Sequence, residues 1–168
     1  RALLVDDPAG LHTDMGPVID AAAQRKVLAY VEVGRAEGRL LLGGSTLSRE
    51  GFFVAPTVFA DVDPGARIAQ EEIFGPVLAV IRARDYRDAV RIANDTDYGL
   101  GASLWTRDFD RGKRLASEID SGMVFVNGMV KSDPRLPFGG IKGSGYGREL
   151  SDYGIKEFVN IKTVWVGG

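Results

Sequence analysis

The spacing of apolar residues predicts an amphipathic helix near the beginning of the chain. From Asp20 to about Arg35, apolar residues recur every three or four positions, and charged residues occupy the opposite face. Asp20 is suited to cap the first turn, and Gly38 is suited to end the helix. A short apolar run over residues 3–5 precedes the helix and predicts the remnant of a strand.

Two short apolar runs follow this helix and predict strands at residues 40–42 and 52–59. Pro56 lies within the second run, and a proline nitrogen has no hydrogen to donate to a neighbouring strand. We therefore expect the second strand to lie at a sheet edge or to bend. A short helical turn is expected after the turn sequence at residues 63–65.

Strands and helices alternate in the second half of the chain. Apolar runs at residues 77–82, 101–106 and 123–127 are separated by segments with helical spacing, which begin with a capping aspartate. The inward residues of the first of these helices are expected to be Tyr86, Ala89, Val90 and Ala93. Strands joined by helices of this length are parallel neighbours. The pattern therefore predicts an α/β fold with an open, mostly parallel, three-layer sheet.

The longest connection, residues 128–150, follows the last of these strands. Its aromatic and aliphatic residues can pack, which argues against disorder. Because ligands bind beyond the carboxyl ends of parallel strands, this loop is expected either to line a site or to serve packing alone. A short helix at residues 151–158 and a strand with alternating apolar residues complete the pattern. We predict a main domain at residues 1–158 and, at 159–168, a terminal strand that pairs with another subunit.

Composition narrows the class of protein without changing this fold prediction. The 168 residues are 45% apolar and 26% charged, and the formal net charge is −2, so neither nucleic acid nor a membrane is an expected partner. No apolar run approaches the roughly 18 residues of a membrane span, and no secretory signal is recognisable, which favours a soluble cytoplasmic protein.

The residue types also exclude several kinds of chemistry within these 168 residues. There is no cysteine, which excludes a disulfide, a thiolate metal site and a cysteine nucleophile. The one histidine, His12, lies in a polar turn and is expected to be solvated. Acidic pairs such as Glu71 and Glu72 lack histidine or cysteine partners, which excludes a transition-metal site. Magnesium bound through oxygen ligands stays open as an alternative, and no metal site is assigned. The glycine-rich run at residues 139–147 lacks the phosphate-binding spacings and favours a tight turn.

Motifs in a fixed order along nearly the whole chain resemble the aldehyde dehydrogenase superfamily. The main ones are EEIFGP at 71–76, NDTDYGL at 94–100, GMVFVN at 122–127, and PFGGIK at 137–142 followed by SG at 144–145 and GRE at 147–149. DMGP at 14–17 and KTV at 162–164 extend the match towards both ends. Within the superfamily, residues 132–138 and 160–165 are most similar to bacterial succinate-semialdehyde dehydrogenases.

The resemblance implies a reaction and a cofactor. In this family a cysteine thiolate attacks an aldehyde, hydride passes to NAD or NADP, and water assisted by a glutamate base releases the carboxylic acid. The resemblance further implies that Glu72 binds the nicotinamide ribose hydroxyls and that Phe74 packs near the nicotinamide. Lys26 falls where relatives contact the adenosine ribose.

The resemblance also implies a substrate-contacting loop. Phe138 matches an aromatic residue that lines the aldehyde tunnel. Ser132 and Arg135, with Lys131 nearby, are suited to bind a distal carboxylate such as that of succinic semialdehyde, because a guanidinium binds carboxylates with two hydrogen bonds. A surface arginine without this role is the alternative for Arg135.

The catalytic cysteine, the base and the dinucleotide-binding domain of this family precede the matched part. We therefore assign no catalytic residue here and expect an inactive C-terminal portion of a catalytic domain, an expectation that the lack of an initiator methionine favours. A homo-oligomer formed through the terminal strand is expected. The first alternative is a standalone, non-catalytic assembly module with the same fold. A second, a flavodoxin-like nucleotide binder, fits the alternation but not the motif order.

Overall fold

The computed structural model describes residues 3–168, which divide after Arg82 into two units with separate sheets. The elements of the first unit are α1 (Ala21–Glu37), β1 (Arg39–Leu42), β2 (Thr57–Ala60), α2 (Arg67–Gln70) and β3 (Val77–Ala79). The elements of the second unit are α3 (Tyr86–Asn94), β4 (Tyr98–Gly99), β5 (Gly101–Leu104), α4 (Phe109–Ala116), β6 (Met123–Val126), β7 (Ile141–Lys142) and α5 (Ser151–Lys156). None of the helices within residues 3–168 combines the length and apolar content that a membrane crossing requires.

Helix α1 forms where the apolar spacing predicts it. The Asp20 carboxylate accepts a hydrogen bond from the backbone N–H of Ala23 at 2.7 Å, and Gly38 follows the last turn, so both predicted ends are confirmed. The buried face of the helix packs on the fully buried ring of Phe59 in β2. Gly34 makes this close approach possible, because a Cβ atom there would lie 2.6 Å from the Phe59 ring.

Strand β2 occupies the centre of a three-stranded sheet, antiparallel to β1 and parallel to β3. Of the two predicted alternatives, the edge position was wrong, while the predicted run 52–59 is interrupted before Thr57, with Val54 in a separate bridge to Thr46. The strand begins at Thr57, so Pro56 lies just outside the ladder and its missing donor removes no bond from it. The backbone N–H of Thr57 instead donates to the Pro76 carbonyl at 2.8 Å.

Strand β3 does not continue into a parallel sheet with the strands of the second unit. The backbone N–H of Val80 donates to the Phe59 carbonyl, which extends the pairing of this segment with β2. In the second unit, α4 connects the parallel pair β5 and β6, as predicted, and β4 pairs antiparallel with β7. The described residues thus form a mixed α/β structure with three small sheets, and the open, mostly parallel, three-layer sheet stays a prediction.

Helix α3 begins after Asp85 as predicted, but its buried residue is Asp88. The Asp88 carboxylate accepts hydrogen bonds from the backbone and guanidinium of Arg84 and from the Arg91 guanidinium, and these bonds satisfy a charge that is 8% exposed. Tyr86, Ala89 and Ala93 of the predicted inward face are exposed and Val90 is half-buried, so that prediction was wrong for this chain.

Residues 3–19 and 157–168 contain little regular structure. Val5 forms a single parallel bridge with Met15, which agrees with a strand remnant near residues 3–5. Residues 159–168 form no strand within this single chain, and their side chains are exposed. Pairing of residues 159–166 with another subunit therefore stays a prediction.

Candidate functional site

The segment 71–75 connects α2 to β3 in the first unit. Helix α2 begins where the Glu37 carboxylate accepts a hydrogen bond from the backbone N–H of Ile68 at 3.0 Å. At the other end of the segment, Gly75 lies directly against Val27 of α1, and a Cβ atom there would overlap the valine side chain. Helix α1 therefore restrains the segment from both sides, because Glu37 and Val27 both belong to it.

Glu71 points towards α1 and is held by three hydrogen bonds. Its carboxylate accepts two from the Arg67 guanidinium, at 3.0 and 2.9 Å, and one from the Tyr30 hydroxyl at 2.6 Å. These donors stabilise the charged form and, with the Arg67 bonds as the larger cause, lower the pKa of Glu71 from 4.5 to about 2. Glu71 is thus an anchored anion rather than a proton-transfer group at neutral pH.

Glu72 differs from its neighbour in its partners. Its backbone carbonyl accepts a hydrogen bond from Lys26 Nζ at 3.0 Å, while its carboxylate forms no hydrogen bond or ion pair with residues 3–168. The residue is exposed. An outward carboxylate without an internal partner is available to accept hydrogen bonds from a ligand.

Phe74 lies two residues further on and is unusually exposed for an aromatic side chain, at 80%. Its backbone adopts a left-handed conformation with φ of 57°, which costs about 1–3 kcal/mol for a residue of this size. With Glu72, it lines an open depression of about 470 Å³ over α2 and the start of β3. A carboxylate and an exposed ring at one surface suit a ligand with hydroxyl groups and a flat face.

The other predicted site residues lie in the second unit, in the loop after β6. Phe138 is fixed by two backbone hydrogen bonds with Glu149, both of 2.8 Å, which join the two ends of the glycine-rich turn. Its side chain lines a cavity of about 330 Å³ together with β6, Lys131 and Asp133, and also a second cavity of about 510 Å³. Phe138 therefore supplies an apolar wall to both cavities.

Arg135 is engaged by a neighbour that the sequence pattern did not reveal. Its guanidinium donates to both carboxylate oxygens of Asp133, at 2.9 and 2.6 Å, although the arginine side chain is 85% exposed. These bonds hold the pKa of Asp133 well below its usual range. The Arg135 guanidinium, which was predicted to bind a substrate carboxylate, thus binds a carboxylate of this chain. Ser132 is exposed and forms no hydrogen bond within the described residues.

Hydrogen bonds hold the glycine-rich turn in place, whereas Tyr146, which was expected to pack, is fully exposed. The Ser144 hydroxyl accepts a hydrogen bond from the backbone N–H of Gly99 at 3.0 Å, and Arg148 donates to the carbonyls of Gly140 and Gly147. Lys142 Nζ donates to the Asn94 carbonyl at the end of α3. These side chains are occupied in holding the loop against its own unit.

Sequence reasoning identified candidate site residues in segment 71–75 and in the loop after β6. It missed Arg67 and Tyr30, which bind Glu71, and Asp133, which binds Arg135. Arg67 precedes Glu71 by four positions, a spacing that signals an ion pair on a helix surface, and Asp133 precedes Arg135 by two. Tyr30 is 41 residues from Glu71 along the chain, and no local pattern signals that contact. His12 is exposed in a turn, as expected.

Comparison with known proteins identifies a family that this chain matches. The family model described as the aldehyde dehydrogenase family matches residues 1–164. A succinate-semialdehyde dehydrogenase [NADP(+)] 1 from Mycobacterium tuberculosis is 48% identical over 98% of this chain, and the chain spans 36% of that relative's length.

Solved structures agree with the sequence comparison. The crystal structure of a Mycobacterium tuberculosis aldehyde dehydrogenase complexed with NAD+ is 43% identical, with a TM-score of 0.89 over 94% of this chain and 33% of that one. HpcC from Thermus thermophilus is 42% identical, with a TM-score of 0.91 over 97% of this chain and 33% of the other. The described residues thus have the fold of the corresponding third of these proteins.

Proposed function

The chain belongs to the aldehyde dehydrogenase family, and we propose that it is the cofactor-clamping and substrate-contacting part of a succinate-semialdehyde dehydrogenase. The reaction would oxidise succinic semialdehyde to the dicarboxylic acid with NAD or NADP. The observation that carries this proposal is the 48% identity to a mycobacterial enzyme named for that aldehyde and for NADP(+). Because the chain spans 36% of that relative, the activity is proposed for the protein that includes this chain.

The residues of segment 71–75 fit a dinucleotide. Glu72 presents a carboxylate with no partner within residues 3–168, and two adjacent ribose hydroxyls can donate to one carboxylate. Phe74, 80% exposed beside it, offers a flat apolar surface to the nicotinamide. When bound, the dinucleotide supplies hydride acceptance, and the role of this chain is to bind and orient it.

The loop after β6 fits an aldehyde with a carboxylate at its far end. Phe138 would line the apolar path of the substrate and exclude water from it, since its ring borders two cavities. Lys131 lines the cavity of about 330 Å³ with Phe138 and would add positive charge there. Arg135 and Ser132, in the same loop, would meet the distal carboxylate. For Arg135 to act in this way, its guanidinium must share or exchange its contact with Asp133.

The chemical step requires a nucleophile that these 168 residues do not contain, because they include no cysteine. We propose that polypeptide outside this sequence supplies the cysteine and the base. We also propose that the terminal segment 159–168 joins a second copy of the protein as a strand, since apolar side chains such as Trp165, which is 88% exposed, have no cover among residues 3–168.

The test is a kinetic comparison in the full-length protein with succinic semialdehyde and each dinucleotide. Glu72→Gln should raise KM for the dinucleotide by roughly ten-fold to one-hundred-fold, because it weakens hydrogen bonds to a charged group. The control is Glu50→Gln, an exposed glutamate of the same unit that should leave KM unchanged. Absence of dinucleotide-dependent oxidation in the unsubstituted full-length protein would favour the non-catalytic assembly module instead.

A further inference from the structure

Glu71 and its two partners form a group that the proposed clamp does not itself use. We name Tyr30, Arg67 and Glu71 the anchor. We propose that the anchor is a positioning device, which holds the Glu71 side chain towards α1 and thereby directs the neighbouring Glu72 carboxylate outwards for the ribose of the dinucleotide. This inference rests on the proposed function and assigns to Arg67 and Tyr30 a role in cofactor affinity.

The first argument is the direction of consecutive side chains. The backbone of Glu71 is extended, with φ of −103° and ψ of 144°. In an extended backbone, successive side chains point to opposite sides. Because Glu71 is drawn towards α1, Glu72 must point away from it, and Ile73 returns to the interior, where it is 8% exposed. Both residues are exposed, and the contacts of Glu71 hold its own carboxylate while the carboxylate of Glu72 keeps no partner within residues 3–168.

The second argument is the completeness of the anchor. The Arg67 guanidinium binds both carboxylate oxygens of Glu71, which fixes the plane of the group as well as its position. The Tyr30 hydroxyl adds a third bond of 2.6 Å from α1, so the anchor ties α2 to α1. The Arg67 guanidinium also lies 5.7 Å from the Tyr30 ring centre. A surface carboxylate held by this many contacts has little rotational freedom.

The third argument is that the segment is restrained at other points, which leaves the anchor a specific task. Lys26 Nζ binds the Glu72 carbonyl, and Gly75 lies against Val27. These contacts fix the backbone at and after Glu72 but not the direction in which residue 71 points. Without the anchor, the Glu71 carboxylate would be free to turn and compete with Glu72 for the same hydroxyl groups.

The experiment is a double-mutant cycle in the full-length protein, with KM and kcat for the dinucleotide as readouts. Arg67→Gln and Tyr30→Phe should each raise KM by about five-fold with kcat unchanged, the scale expected for a well-formed exposed ion-pair network. In a Glu72→Gln background, the same two substitutions should have no further effect, because the group that they orient is absent. A purely structural role would give equal effects in both backgrounds.

A matched control separates the anchor from the general loss of an exposed ion pair. Arg39 donates to Asp61 at 2.9 Å in the same unit, outside segment 71–75. Arg39→Gln should leave KM unchanged. The inference is overturned if Glu72→Gln raises KM while Arg67→Gln does not, or if the effect of Arg67→Gln persists without Glu72. If Glu72→Gln itself leaves KM unchanged, the proposed clamp and this inference both fail.

Discussion

Glu71 and Glu72 are adjacent and chemically identical, yet their carboxylates have different surroundings. Glu71 accepts three hydrogen bonds from Arg67 and Tyr30, whereas the Glu72 carboxylate has no partner within residues 3–168. Partners, rather than residue type, therefore separate a structural carboxylate from one that is available to a ligand. Likewise, Arg135 is not an unpartnered guanidinium, because Asp133 already binds it.

The Glu71 contacts predict a pH dependence. The pKa of Glu71 is lowered from 4.5 to about 2, so between these values the folded chain binds fewer protons than the unfolded chain. The stabilisation is fully present above pH 4.5 and is lost as pH falls towards 2. Titration of the Glu71 carboxyl carbon by NMR should give a midpoint near 2. In Tyr30→Phe the midpoint should rise, and a midpoint of 4.5 in the unsubstituted chain would contradict the geometry.

The pair of Asp133 and Arg135 predicts two opposite effects on substrate preference. In the full-length protein, Arg135→Ala should lower the preference for succinic semialdehyde over butyraldehyde by about ten-fold, because a charged hydrogen bond to the distal carboxylate is lost. Asp133→Asn should raise that preference, because it removes the carboxylate that competes with the substrate for hydrogen bonds from the Arg135 guanidinium. The ratio of kcat/KM for the two aldehydes measures both. An unchanged ratio in both variants would make Arg135 a surface arginine.

At the residue scale, the motifs singled out residues that the structure leaves accessible, while their roles in binding stay predictions. Glu72 and Phe74 were selected by the EEIFGP motif, and the structure gives both the exposure that binding requires. The contact of Tyr30 with Glu71 joins residues 41 positions apart and depends on how α1 packs, which no local spacing encodes. The positive φ of Phe74 also escaped prediction, because left-handed backbone is rare outside glycine, asparagine and aspartate.

At the scale of elements, Thr57 connects the start of β2 to the turn after β1. Its hydroxyl accepts a hydrogen bond from the backbone N–H of Gly44 at 2.9 Å and donates to the Ala55 carbonyl at 2.8 Å. The residue is 1% exposed, so water cannot replace these bonds. One buried hydroxyl therefore fixes both the turn and the beginning of the central strand.

Replacing Thr57 tests this connection. Thr57→Val keeps the shape of the side chain but leaves the Gly44 N–H without its acceptor, so the free energy of unfolding should fall by about 1–3 kcal/mol. Thr57→Ser keeps the hydroxyl and loses one methyl group, which costs about 0.8 kcal/mol. Urea denaturation of the three proteins measures the difference. Equal stability of the valine and threonine proteins would show that the hydroxyl contributes nothing.

Element boundaries were predictable where side chains cap helix ends. Asp20, Asp85 and Asp108 all accept hydrogen bonds from the first turns of their helices, as their positions predicted. The buried face of α3 was not predictable, because Asp88 is buried through arginine partners and apolar periodicity cannot detect ion pairing. The alternation of elements correctly predicted the parallel pair β5 and β6, but it did not reveal that β3 pairs with β2, since that partner precedes it without a crossover helix of the predicted kind.

At the scale of the whole molecule, the chain consists of two units and spans about a third of its relatives. The two strands β5 and β6 form a parallel pair without further strands among the described residues. Parallel sheets in globular proteins are covered on both faces by other elements. The exposed apolar residues of α3 and α4, such as Tyr86 and Phe109, fit an arrangement in which further polypeptide covers them.

The terminal segment gives the prediction at this scale. Ile161 and Trp165 are 77% and 88% exposed, and burying such side chains at an interface between copies is strongly favourable. In the full-length protein, Ile161→Glu combined with Trp165→Glu should lower the molar mass measured by light scattering, because an interface tryptophan contributes roughly 2 kcal/mol or more. Lys162→Glu is the control, since it introduces the same acidic side chain without removing an apolar one. An unchanged molar mass in the double variant would show that residues 159–168 do not form the interface between copies. Their apolar side chains would then be covered by a contact within one copy of the full-length protein.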